Sequence, residues 1–191
     1  AELIIGPLLR EHVTTLAQMD NLPAPVLALN RTSDNSGRPD LYQFGLAPED
    51  EMRQIAHRAW QEGHRNVVVI SPASSWGERN TSTFTDQWLE LGGNLVASSK
   101  FEDSQDYSGL IKNLLKVDQS EQRATELRRI TGERFQFTPR RRQDLDFVLL
   151  LANPSQSRSI NPTLAFFYAE DIPVYSSSHV YQYADSRINV L

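Results

Sequence analysis

Apolar residues in this chain fall in short runs divided by helix-spaced stretches, and that rhythm predicts alternating strands and helices. Leu3 to Ile5 is an apolar run stopped by Gly6-Pro7, the pattern of a buried strand entering a turn. Arg10 to Met19 reads as a weak helix, because Val13, Thr14 and Thr15 are β-branched. Val26 to Leu29 is a second apolar run, Asn30 to Asp40 a polar loop, and Tyr42 to Leu46 a third short strand. The clearest unit starts at Pro48, which suits a first helical turn because its missing N–H costs nothing there. Met52, Ile55, Ala56, Ala59 and Trp60 share one face of that helix, and Gly63 stops it. Val67 to Ile70 then forms a continuous strand buried on both faces. Strand–helix–strand crossovers of this kind give parallel sheets.

The rhythm continues. Trp76 to Leu91 predicts a helix with Phe84, Trp88 and Leu91 on one face, ended by Gly92-Gly93. Leu95 to Phe101 is a strand, and Tyr107 to Val117 a helix that buries Leu110, Ile111, Leu114 and Leu115. Phe147 to Leu151 is a fully apolar strand, Pro162 to Ala169 a short helix, and Pro173 to Tyr175 a last strand. Between about residues 118 and 143 the alternation breaks, which predicts an inserted helix and loop. The expected architecture is α/β, with doubly wound parallel sheets in two portions. Residues 1–62 hold too few strands for a whole domain, whereas 63–176 suffice for one compact sheet. The opening AELIIGPLL reads as a strand already under way, so the chain is read as a fragment of a longer protein.

Composition narrows the function classes. In 191 residues there is no Cys, which removes disulfides, thiolate metal ligands and thiol nucleophiles. The net charge of -5 argues against a dedicated nucleic-acid binder, which needs a basic face. No apolar run reaches the ~20 residues of a membrane span.

Candidate chemistry is sparse. There is no G-x-S-x-G elbow and no phosphate-binding glycine loop. His57 and His64 are seven apart, too far for the i, i+4 chelation of one metal, and read as exposed residues near a helix C-terminus. Glu49, Asp50 and Glu51 are accounted for by the positive end of a helix dipole. No catalytic residue, metal site or cofactor is therefore expected. Two segments carry more weight. The loop after Ile70 lies at the carboxyl end of a strand, where open α/β sheets bind ligands, and offers Ser75 and Trp76 ahead of a helix. The insert carries seven Arg against four acidic residues, including Arg128, Arg129 and the run Arg140-Arg141-Arg142. It reads either as a solvated loop or as a dock for an acidic partner.

IIGPL, PVLALN, FGLAPEDEMRQIAHRAWQEGHRNVVVI, SSWGERNTSTFTDQWLELGGNLV and DLDFVLLLANPSQSRSINPTLAFFYAEDIPVYSSS, in that order, resemble the type I periplasmic-binding-protein fold. More narrowly they resemble the LpoA (YraM) family of outer-membrane lipoproteins, which activate class A penicillin-binding proteins. The resemblance spans nearly the whole chain. It implies a fragment of a two-lobed domain: 1–62 part of the first lobe, 63–176 the second, and 177–191 a return segment towards the first. It implies a non-catalytic regulator of peptidoglycan synthesis in the periplasm, attached to the outer membrane through a lipid anchor outside this fragment. The partner would be a class A penicillin-binding protein. The alternative is a receptor for an amino-acid-like molecule, with Thr32, Ser33, Ser75, Trp76 and Ser176 lining its ligand cleft. Amino-acid-binding members place an acid after the last strand to hold the ammonium, whereas this chain has Ser176-Ser177-Ser178 there. A buried ammonium without a counter-charge is costly, so the departure favours protein contact.

Overall fold

The structure, a computed structural model, describes residues 2–32, 37–45, 47–102, 106–132 and 136–181. The chain divides into two compact units, residues 1–50 and 51–191. In the first, β1 (Ile4–Ile5), β2 (Val26–Ala28) and β3 (Leu41–Gln43) form a parallel sheet in the order β1-β2-β3. The helix α1 (Arg10–Ala17) packs Val13 on Val26, Ala28 and Leu41. Thr14 and Thr15 turn their hydroxyls back onto the Arg10 and Glu11 carbonyls, both at 3.0 Å, as helical threonines do. The third strand is shorter than its apolar pattern predicts, because the ladder ends once the Phe44 N–H has reached the Ala28 carbonyl. Leu46 lies outside the described residues.

The second unit is built on β4 (Asn66–Pro72), β5 (Asn94–Phe101), β6 (Phe147–Leu150) and β7 (Val174–Ser176). These pair in parallel in the order β5-β4-β6-β7. Side chains alternate between the faces of β4. Val67 and Val69 join Phe147 and Leu149 under α2 (Pro48–Gln61) and α3 (Ser75–Glu90), which contribute Met52, Ala56, Ala59, Phe84 and Trp88. Val68 and Ile70 join Val148 and Leu150 on the opposite face. They are covered there by α4 (Tyr107–Leu114), α5 (Val117–Thr131) and α6 (Pro154–Phe166), through Ile111, Leu114, Val117, Ile160 and Leu164. Helices on both faces of one parallel sheet make it doubly wound. The apolar face of α2 belongs to this core, so the division between the units falls at Asp50–Glu51 rather than at 62–63.

Three local features position the rest. A Cβ on Gly93 would lie 2.2 Å from the Trp88 ring, so only glycine lets the chain leave α3 over that indole. Lys116 adopts a left-handed conformation (φ 57) and turns the chain from α4 into α5, giving the inserted helix. The last helix begins at Pro154 rather than Pro162, because Asn153 and Gln156 form a reciprocal capping box at 2.9 Å each way. Pro162 sits inside the helix, which continues past it because Ile160 and Leu164 are buried.

Candidate functional site

The carboxyl end of β4 is closed by the start of α3. The Ser74 hydroxyl caps the helix by accepting the Gly77 N–H at 3.2 Å. A Cβ on Gly77 would meet the Pro72 carbonyl at 2.2 Å, so the helix starts hard against the strand. The loop is tied to the neighbouring strand by the Ala73 N–H, donated to Phe101 at 2.7 Å. Ser75 is exposed in the first turn and Trp76 is half-buried.

The Trp76 ring already has a partner. His179, in the 3-10 turn Ser178–Val180 that follows β7, stacks on it with centroids 4.8 Å apart and planes tilted by 39°. Glu51 holds that turn, accepting the Ser178 N–H at 2.9 Å and the Ser178 hydroxyl at 2.5 Å. Ser176 is half-buried and donates its hydroxyl to the Leu150 carbonyl at 2.7 Å. Ser71, Asn80 and Ser177 lie deeper, and Ser71 Oγ, Asn80 Oδ1 and Ser177 Oγ have no protein partner among the described residues. The second unit thus brings Trp76, His179, Ser176 and Ser178 to the carboxyl end of its sheet. Thr32 belongs to the first unit, where it is buried and donates its N–H to Gln43 at 2.8 Å. Ser33, and the return segment from residue 182 onward, lie outside the described residues.

At the opposite end of the sheet the chemistry is structural. The Asp146 carboxylate accepts the N–H groups of Arg65 and Asn66 at 2.7 and 2.8 Å. Burial opposes its ionisation, but these bonds prevail and hold its carboxyl below the usual range. His64 packs on Phe147 and Tyr175, with centroids 5.3 and 6.0 Å away, so it is partly buried rather than exposed like His57. Tyr175 donates its hydroxyl to Glu62, and burial together with that carboxylate pushes the phenol up to about 12. No group of three or more His, Asp or Glu residues suited to a metal occurs among the described residues.

The arginines of the insert separate into two kinds. Arg142 makes a bidentate pair with Asp144 at 2.6 and 2.9 Å and reaches the Leu114 carbonyl at 3.3 Å. Arg141 bonds Asp171 and the Tyr168 carbonyl, both at 2.7 Å. Their side chains are only 7% and 11% exposed, so both fasten the insert to the unit and neither faces outward. Arg128, Arg129 and Arg140 are exposed, with Arg129 paired to Glu126 at 3.2 Å. The sequence reads the Arg140-Arg141-Arg142 run as one patch; Asp144, two residues on, is the signal that sets Arg142 apart, whereas Arg141 is held by Asp171, 30 residues on, with no local signal. Sequence reasoning also misses Glu51 and His179, whose partners are more than a hundred residues away in one direction or the other.

A family model described as "LppC putative lipoprotein" matches residues 1–188. The penicillin-binding protein activator LpoA of Klebsiella pneumoniae is 31% identical over 98% of this chain, which covers 26% of that protein. The solved LpoA (YraM) C-domain from Haemophilus influenzae, described as a regulator of PBP1A, superposes with a TM-score of 0.63 at 22% identity. That match covers 94% of this chain and 48% of that one. An ABC transporter substrate-binding protein from Sphaerobacter thermophilus superposes at 0.58 and 17% identity, over 94% of this chain and 45% of its own. The fold is therefore of the type I periplasmic-binding-protein kind. The chain spans about a quarter of the length of the curated relatives it matches.

Proposed function

This chain belongs to the LppC lipoprotein family, and on that premise we propose that it is a protein-contact domain of a non-catalytic regulator of peptidoglycan synthesis. The full-length protein would sit in the periplasm, anchored to the outer membrane through a lipid, and would bind and stimulate a class A penicillin-binding protein. The observation that carries this reading is the family match over residues 1–188, in a family whose curated relatives bear the name penicillin-binding protein activator.

The geometry argues against the competing receptor reading. A receptor needs an open aromatic face and polar groups turned toward the ligand. Here His179 covers Trp76, Leu150 takes the Ser176 hydroxyl, and Glu51 is engaged by Ser178. An amino-acid ammonium would have to displace these bonds to find a counter-charge.

Surface titration of the full-length protein against the periplasmic portion of its own organism's class A penicillin-binding protein tests the proposal, together with an assay of glycan polymerisation and cross-linking. Saturable binding and a faster synthase, with no turnover by the regulator alone, are expected. A folded protein that neither binds nor changes the synthase rate overturns it.

A further inference from the structure

We propose that the exposed stripe at the C-terminal half of α5, formed by Arg123, Leu127 and Ile130, is the surface that meets the partner, and that it fits an apolar groove with an acidic rim. The proposal rests on the function proposed above and names the site through which it works.

The stripe follows from how α5 is seated. Its buried positions are Val117, Ser120 and Ala124, spaced by three and four, and none of its residues after Ala124 is buried. The second half of the helix therefore leaves the core. On that half Leu127 is 51% exposed and Ile130 69% exposed. Counted from Arg123 they stand at i+4 and i+7, which aligns all three side chains on one flank. One exposed leucine needs no explanation. Two aliphatic side chains in line beside a cation, on the half of a helix that carries no buried residue, have the form of a helix offering anchors to a groove.

Charge fixes the chemistry of that groove. The acids of α5 are all engaged: Asp118 accepts from Asn113 at 3.4 Å, Glu121 pairs with Lys112 at 2.6 Å, and Glu126 pairs with Arg129 at 3.2 Å. Arg123 has no acidic partner among the described residues. A partner that seats Leu127 and Ile130 must set a carboxylate beside Arg123, since a charge buried without a counter-ion is costly. An anionic membrane is the less suitable occupant. The helix carries three acidic residues for its three arginines, whereas interfacial helices concentrate Lys and Arg on the polar face.

The test uses the full-length protein and the periplasmic portion of its class A penicillin-binding protein, with phosphatidylglycerol vesicles as a second arm. The double variant Leu127→Asp, Ile130→Asp is expected to weaken synthase binding at least tenfold. Arg123→Glu is expected to weaken it roughly three- to tenfold and to flatten its dependence on salt. The melting temperature should stay within a degree or two of wild type, because these side chains are exposed. Wild type that binds while the double variant binds equally well overturns the stripe and leaves the proposed function standing. Wild type that fails to bind the synthase overturns the function itself. Vesicle binding that the double variant loses, with synthase binding intact, reassigns the stripe to lipid and overturns the proposal.

Discussion

The imidazole of His179 lies on the indole of Trp76, 4.8 Å between ring centroids. The two residues come from turns after different strands of one sheet, and Glu51 secures the second turn through Ser178. An aromatic platform at the carboxyl end of a parallel sheet is thereby covered by the chain that builds it. His179→Ala should uncover the indole. The expected result is a red-shifted component in the tryptophan emission and faster iodide quenching, with Trp60 and Trp88 unchanged. Emission and quenching identical to wild type would show that the stack does not shield the ring in solution.

Glu51→Gln keeps the size of the side chain and removes the charge that receives two Ser178 donors. Charge-assisted hydrogen bonds exceed neutral ones by roughly a factor of two. Hydrogen exchange at the Ser178 amide should speed up, while exchange in the buried strands β4 and β6 holds at its wild-type rate. Equal acceleration in β4 would mean that Glu51 supports the whole unit rather than this turn.

Arginines of one segment should behave differently on truncation. Arg142→Ala removes the donor to the Leu114 carbonyl and the pair with the solvent-exposed Asp144, and is expected to cost about 1–3 kcal/mol, most of it at the carbonyl. Arg128→Ala, on the exposed end of α5, should stay within about 0.5 kcal/mol of wild type. Urea unfolding of both variants checks this, and equal losses would contradict a split between anchoring and exposed arginines.

The pair between Arg142 and Asp144 also predicts an acid dependence. The Arg142 guanidinium, against the opposing effect of burial, holds the Asp144 carboxyl at about 2. The unfolded chain has the ordinary value of about 3.9. A depressed carboxyl contributes its full stabilisation above the unfolded value and loses it as pH falls through the folded one. The stability gap between wild type and Arg142→Ala should therefore shrink from about pH 4 down to about pH 2. Solvent screens the partly exposed carboxylate, so the part that vanishes should be no more than about 1 kcal/mol. A gap that is flat with pH would assign the whole loss to the Leu114 carbonyl.

Gly93→Ala places a methyl group where the Trp88 ring stands, 2.2 Å away. Trp88 is fully buried and stacks on Phe84 at 5.9 Å, so it cannot yield without opening the core. A loss of about 1–3 kcal/mol is expected, as for overpacked cores. Thermal unfolding that matches wild type would show that the ring moves more freely than its packing implies.

The two central strands of the second unit are legible because Val67 to Ile70 and Phe147 to Leu151 are apolar runs too short for a helix. The start of α6 was misplaced because two prolines compete for it. Pro162 has the apolar neighbours, but Pro154 has Asn153 and Gln156, and a satisfied cap decides where a helix begins. The apolar face of α2 joins the core of the second unit. Its periodicity shows an apolar face but says nothing about which sheet receives it. In the candidate site, Trp76 and Ser176 were findable from their positions after strands. Ser178 with Glu51, 127 residues apart, had no local signal.

The Asp146 carboxylate grips the backbone of Asn66 across 80 residues, at the place where β4 and β6 begin to pair. The central pair of the sheet is therefore a long-range contact. The segment between, which includes α3, β5, α4 and α5, is enclosed by that contact. Closing a loop costs entropy that grows only with the logarithm of its length, so adding ~20 residues to the insert raises the cost by about 0.2 kcal/mol. The price is kinetic: a chain whose innermost strands meet so late in sequence folds slowly for its size. This architecture lets the exposed second half of α5 lengthen or change its face at little thermodynamic penalty, while Val117, Ala124 and the anchors Arg141 and Arg142 keep the rest of the insert in place.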